Sequence, residues 1–201
     1  MRLLFGVLAL GLLSCAHAPE AESAPAAPSA PVVSAATNPA RYFPLAVGNH
    51  WTYRATDGDA SAVEDVRIQG VHDGQYSDSR GRLLWVTSDG LRDQSRVILR
   101  APVEVGRSWS VVLGPDSVEH WRIDSVGQPC TAPAGHFQDC VEVESRISPA
   151  TGVELVNRIT FAAGVGMVRI RTTLVRNGVE TPQTELLLTA FEVAPVRPPS
   201  G

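Results

Sequence analysis

Phe137-Gln138-Asp139-Cys140-Val141-Glu142-Val143-Glu144-Ser145-Arg146-Ile147 decides the fold class. Phe137, Val141, Val143 and Ile147 fall on one face of an extended chain, and Cys140, Glu142, Glu144 and Arg146 fall on the other. A period of two is what a half-buried strand requires, because successive side chains point to opposite sides of the pleat. Neighbouring segments repeat the pattern. Val153, Leu155, Ile159 and Phe161 stand opposite Glu154, Arg158 and Thr160, and Trp121 and Ile123 alternate with His120, Arg122 and Asp124. Leu186-Leu187-Leu188 is apolar on both faces, which predicts a last strand that is central or covered on both sides.

Turn signals punctuate these runs: Asp57-Gly58, Asp73-Gly74, Asp89-Gly90, Gly114-Pro115-Asp116, Thr151-Gly152 and Asn177-Gly178. Asn-Gly and Asp-Gly supply the positive φ angles of tight hairpins, and Asn177-Gly178, between two long apolar-rich runs, is the strongest hairpin signal. No stretch offers three helical turns with caps. The expectation is one all-β antiparallel domain of about eight to ten strands in successive hairpins. It closes as a sandwich or as a curved half-barrel or open barrel, since long free edges invite unwanted pairing.

The chain has 201 residues and a formal net charge of -4, with neither a basic stripe for nucleic acid nor an acidic block for cations. Its 17 basic residues are all arginine, which removes every lysine-based mechanism: Walker-type phosphate loops, Schiff bases and Ser-x-x-Lys nucleophiles.

The N-terminus carries Arg2 and then an apolar run from Leu3 to Leu13, about the length of a secretory signal and short of the ~20 residues a membrane span needs. It ends in Leu12-Leu13-Ser14-Cys15, which resembles the lipobox of bacterial lipoproteins. The resemblance implies cleavage before Cys15 and acylation of that cysteine, with two or more chains giving a stable membrane anchor. Residue 16 is Ala, which favours the outer membrane. Residues 1–14 therefore read as a signal peptide, and 15–40 as a lipidated cysteine with an Ala/Pro-rich disordered tether of ~25–30 Å. Residues 41–194 read as the β-domain, and 195–201 as a proline-rich frayed tail.

Three stretches carry a second resemblance. Tyr42-Phe43-Pro44-Leu45 followed by Gly48-Asn49-His50-Trp51-Thr52-Tyr53, then Pro133-Ala134-Gly135-His136-Phe137-Gln138-Asp139-Cys140, then Gly164-Val165-Gly166-Met167-Val168 are similar to a loose group of exported bacterial proteins and lipoproteins of unknown function, some of them TapB-like. The resemblance implies export and a β-fold, and it supplies no catalytic residue.

Cys130 and Cys140 are the two thiols left once Cys15 is acylated, and Pro133-Ala134-Gly135 between them is a natural turn. In an oxidising compartment they read as a structural disulfide, with a redox or catalytic thiol as the alternative. Cys140 sits on the polar face of its strand, so Cys130 has to approach from that side. His136, Asp139 and Cys140 share one turn-strand segment with no third group to orient them, so a Cys-His peptidase lacks support. Gly-x-Ser-x-Gly is absent. His17, His50, His72, His120 and His136 form no zinc spacing, and Asp57, Asp59 and Asp65 lack the EF-hand order, so no metal or cofactor is expected. Trp51, Trp85, Trp109 and Trp121 are candidates either for a binding groove or for the core; at least two are expected in the core.

The functional expectation is a lipid-anchored envelope protein, outer-membrane and periplasmic or surface-facing, whose non-catalytic β-domain binds or scaffolds. Its partners are the membrane, through the acyl chains on Cys15, and an envelope protein or an apolar ligand. The alternative is a carrier or chaperone of lipids or other apolar molecules with a half-closed β pocket. A cell-envelope hydrolase has location alone in its favour.

Overall fold

Alternation and turns together build a chain of hairpins. The computed structural model describes residues 38–194; the signal segment, Cys15, nearly all of the tether, His17 and the tail lie outside the described residues. One 3₁₀ turn, Pro39–Arg41, precedes twelve strands. They are β1 (His50–Asp57), β2 (Ala60–His72), β3 (Gln75–Asp78), β4 (Leu83–Thr87), β5 (Gly90–Asp93), β6 (Val97–Arg100), β7 (Ser108–Gly114), β8 (Ser117–Ala132), β9 (Gly135–Ala150), β10 (Val153–Ala162), β11 (Gly166–Arg176) and β12 (Val179–Glu192).

The sheet order is β6-β5-β4-β3-β2-β1-β12-β11-β10-β9-β8-β7, and every pairing is antiparallel. Each strand pairs with its sequence neighbour, and β12 returns to β1, so only β6 and β7 fail to complete the ring. This is a nearly closed up-and-down barrel with one unsealed seam. β12 is central, as the triple leucine predicts, with Leu188 fully buried and Leu186 and Leu187 half-buried.

Each of the six turn signals sits at a hairpin. At Asn177-Gly178 both residues take positive φ, 50° and 81°, the form of turn whose twist matches the strands it joins. The count of strands exceeds the expected eight to ten because residues 75–100 hold four strands of four or five residues each. Such short runs have no room for a period to show.

The outer face of β9 and β10 is laced by ion pairs: Glu144 accepts from Arg158 at 2.9 Å and from Arg146 at 2.6 Å, and Arg146 also reaches Glu154 at 3.0 Å. Cys130 and Cys140 are joined, their Cα atoms 6.0 Å apart. Cys140 is 3% exposed and belongs to the core cluster, against which Cys130 packs, so the pair is not on the polar face that the alternation predicts; the pairing of β8 with β9 is irregular between Val126 and Cys130.

Candidate functional site

The barrel interior divides into two halves of different chemistry. The lower half lies where β1 begins and β12 ends. There Phe43 stacks on Trp51 with ring centroids 5.1 Å apart, and Trp51 Nε1–H donates to the Val165 carbonyl at 2.6 Å. Gly166, at φ 120°, lets that turn approach, since a Cβ there would meet Trp51 Nε1 at 3.0 Å. Arg41 and the Tyr42 hydroxyl (3.0 Å) both donate to Asp139, and the Arg41 carbonyl accepts from Gly164 N–H. Burial, then the bond to Asp139, pushes the Tyr42 phenol up to about 12. The segment before β1 is thus a plug closing the lower end, and it unites the three stretches quoted from the sequence. Phe161, Val141, Ile123 and Leu188, all fully buried, complete a solid core.

The upper half is polar. Strands β3–β6 are short, so their turns end below the tips of the long strands and face the inner wall. From those turns three arginines reach inward to carboxylates. Arg80 pairs with Glu64 on β2. Arg82 Nε donates at 2.8 Å to Asp78, whose side chain is wholly buried and also accepts from the Arg80 and Arg82 backbone N–H groups. Arg96 donates at 2.8 Å to Glu119 on β8.

Glu119, 2% exposed, is the end of a line of donors crossing four strands. The Ser145 hydroxyl on β9 donates to it at 2.9 Å, Asn157 Nδ2 on β10 donates to Ser145 at 3.4 Å, and the Thr172 hydroxyl on β11 donates to Asn157 at 2.8 Å. A buried carboxylate is tolerable only when paired and hydrogen-bonded, and this line does both.

Two adjoining cavities, about 170 and 220 Å³, lie beneath the arginines and share Arg82, Met167 and Ile170 as walls. A larger depression of about 600 Å³ lies between the β9–β10 and β11–β12 tips, lined by residues such as Ser148, Thr151 and Asn177. It is remote from the interior network.

Side chains bridge the unsealed seam at two points. Trp109 Nε1–H on β7 donates to the Val97 carbonyl on β6 at 2.9 Å, and Arg96 to Glu119 spans the same gap. Trp109 stacks on Trp121 at 5.7 Å. Trp51, Trp109 and Trp121 are therefore core residues, and Trp121 also lines the smaller cavity. Trp85 points outward from β4 beneath the Arg92 guanidinium, 5.2 Å from the ring centre.

The structure does not gather the other candidates into a centre. Cys140 is consumed by the disulfide, Asp139 holds Arg41 and Tyr42, and His136 bonds to Thr131 at 3.1 Å. His50 lies by Asp65 at 3.1 Å, His120 by Ser110 at 3.0 Å and His72 by Asp73 at 3.2 Å, each at a separate place. Among the described residues no cluster of three potential metal ligands occurs.

Sequence reading missed Glu64, Arg80, Arg82, Arg96, Glu119, Ser145 and Asn157. A signal existed for four of them. Glu119 is in phase with Trp121 and Ile123, Ser145 with Val143 and Ile147, Asn157 with Leu155 and Ile159, and Glu64 with Val66 and Ile68. A polar residue in the apolar phase is a buried polar group that needs partners.

No family model matches the chain, and neither does any curated protein. A solved structure matches in outline: the crystal structure at 2.70 Å of a protein described as a lipoprotein from Parabacteroides distasonis ATCC 8503. It is 14% identical with a TM-score of 0.43, over 76% of this chain and 98% of that one. A likeness of that degree carries no inference about activity.

Proposed function

We propose that this is a lipid-anchored envelope protein, tethered through Cys15, whose barrel works by binding and without catalysis. The anchor and the envelope location rest on the sequence of residues 1–16. The binding role rests on one observation: every inward-facing carboxylate of the upper half is held in an ion pair or a chain of hydrogen bonds. A general acid or base needs a proton-accepting group free to meet the substrate. Groups locked to one another instead shape a rigid, polar-rimmed mouth, which suits recognition.

Transport of long-chain lipids is the weaker reading. The plug and the Phe43–Trp51 stack fill the lower half, and each upper cavity is below the ~300–1,000 Å³ of ordinary ligand pockets.

Photo-cross-linking in intact envelopes tests the proposal, with a photoreactive side chain in place of exposed Gln94, on the turn that carries Arg96 at the mouth. The expected result is a defined adduct that persists with wild-type Cys15 and is lost when Cys15→Ala releases the protein from membranes. Turnover of a cell-wall or lipid substrate by purified protein, abolished by changing one mouth residue, would overturn it.

A further inference from the structure

Three of the four tryptophans fill the core, and the fourth is left outside it. Trp85 is half-buried on the outer face of β4, where its register partner on β5, Arg92, holds a guanidinium 5.2 Å from the ring centre. That contact fixes the indole from the β5 side. The side left over is that of β3.

On that side the outer face carries a depression of about 360 Å³, lined by Gly70, Val71, His72, Gln75, Ser77 and Leu83. Register sets it beside the indole. Tyr76 pairs with Leu84 and Ser77 with Leu83, so the next step of the same ladder puts Gln75 opposite Trp85. Leu83 stands two residues from Trp85 on the same face, about 7 Å along the strand. Gly70 pairs with Ser77 and leaves the floor open, since a Cβ there would stand 3.4 Å from the Ser77 hydroxyl. The volume is that of a small-ligand site.

The chemistry of the lining narrows the ligand. Its charged neighbours are engaged locally, His72 with Asp73 at 3.2 Å and Arg92 with the indole, which favours a neutral molecule. The exposed Gln75 amide and the half-buried Ser77 hydroxyl have no side-chain partner among the described residues. An amide offers a donor and an acceptor side by side, and an acetamido group answers both. A pyranose with equatorial substituents presents a face of C–H bonds that lies against an indole, and hydroxyls at its edge that bond to groups such as Ser77. An acetamido methyl has Leu83 and the gap over Gly70 to enter.

We propose that this outer face is a second binding site, for a neutral oligosaccharide bearing acetamido groups. The sugar ring rests on Trp85, the acetamido group bonds to Gln75, and its methyl packs on Leu83. The site lies on the outside of the wall and stands independently of the mouth.

The core is complete within Tyr42–Leu188, so the chain from Ala16 onward, exported behind a cleavable signal, is the sample. Its indole N–H and side-chain amide resonances are followed by ¹⁵N NMR during titration with triacetylchitotriose and, separately, with cellotriose, which lacks the acetamido groups. The expected result is saturable binding of the first that shifts Trp85 and Gln75 and leaves Trp51 unmoved, with cellotriose at least tenfold weaker. Trp85→Ala weakens binding at least tenfold. Gly70→Val, which fills the gap, does the same and serves if the first variant does not fold. Gln75→Leu removes the preference between the two sugars. Absence of saturable binding, equal affinity for cellotriose, or a folded Trp85→Ala that binds as tightly as wild type would each overturn the inference. None of these outcomes alters the envelope adduct formed at the mouth, so the two proposals stand or fall separately.

Discussion

The two halves of the barrel interior use buried polar groups in opposite ways. In the lower half buried polar atoms serve the packing: Trp51 Nε1–H donates to the Val165 carbonyl while its ring fills the space, and buried Asn49 donates to the Pro44 carbonyl. In the upper half the polar atoms bond to one another and hold the walls apart over open volume. One half is built to be filled by the protein and the other to remain accessible. A fold held at one end can keep a less densely packed site at the other, because local stability need not be uniform.

The largest expected effect is in the lower half. Trp51→Ala removes a fully buried indole and its bond to Val165 and should lower unfolding free energy by about 3–5 kcal/mol in urea titration. A loss below about 1 kcal/mol would break the contrast by showing the lower half to be as loose as the upper. Replacing Cys130 and Cys140 by serine should cost ~3 kcal/mol from the short loop they close, also at the lower end.

Glu119 sharpens the comparison. Glu119→Ala strands Arg96 and Ser145 and should cost about 2–3 kcal/mol, less than a fully buried pair because Arg96 retains about a third of its exposure. Joining Glu119→Leu to Arg96→Met should restore most of that loss, since a buried pair replaced by apolar groups is often neutral. Restored stability with ligand or partner binding still absent would separate the network's role in recognition from its role in folding.

The smallest effect concerns the outer wall. Burial works against the charged form of Glu144, but the hydrogen bonds and charges of Arg146 and Arg158 outweigh it and hold the carboxyl below its ordinary 4.5. A depressed carboxylate stabilises fully above its unfolded value, and that contribution is lost as pH falls through the folded one. Stability should therefore decline below about pH 4.5, and Glu144→Gln should flatten that part of the acid limb without altering the interior site.

Much of this was readable from the residues. The period of two in Phe137–Ile147 and the Gly-containing turns led to the antiparallel meander, because both are local properties. Closure was not legible: nothing in the sequence of β1 announces that β12 returns to it, a pairing across more than a hundred residues. Strands β3–β6 escaped notice for want of length, and with them the arginines on their turns. The disulfide was legible from spacing and compartment, whereas the irregular pairing beside Cys130 and the burial of Cys140 in the core were not. Glu119, Ser145 and Asn157 were visible as breaks in the apolar phase, yet only their convergence at one level of the barrel makes them a network.

Hydrogen exchange of the indole N–H groups, resolved by ¹⁵N NMR on the chain from Ala16, tests the division most directly. Trp51, bonded to Val165 and sealed by the plug, should exchange only through global unfolding, while Trp121, whose N–H has no partner, should exchange by local opening of the upper half, faster by orders of magnitude. Equal rates at the two sites would show a uniform interior and contradict the account.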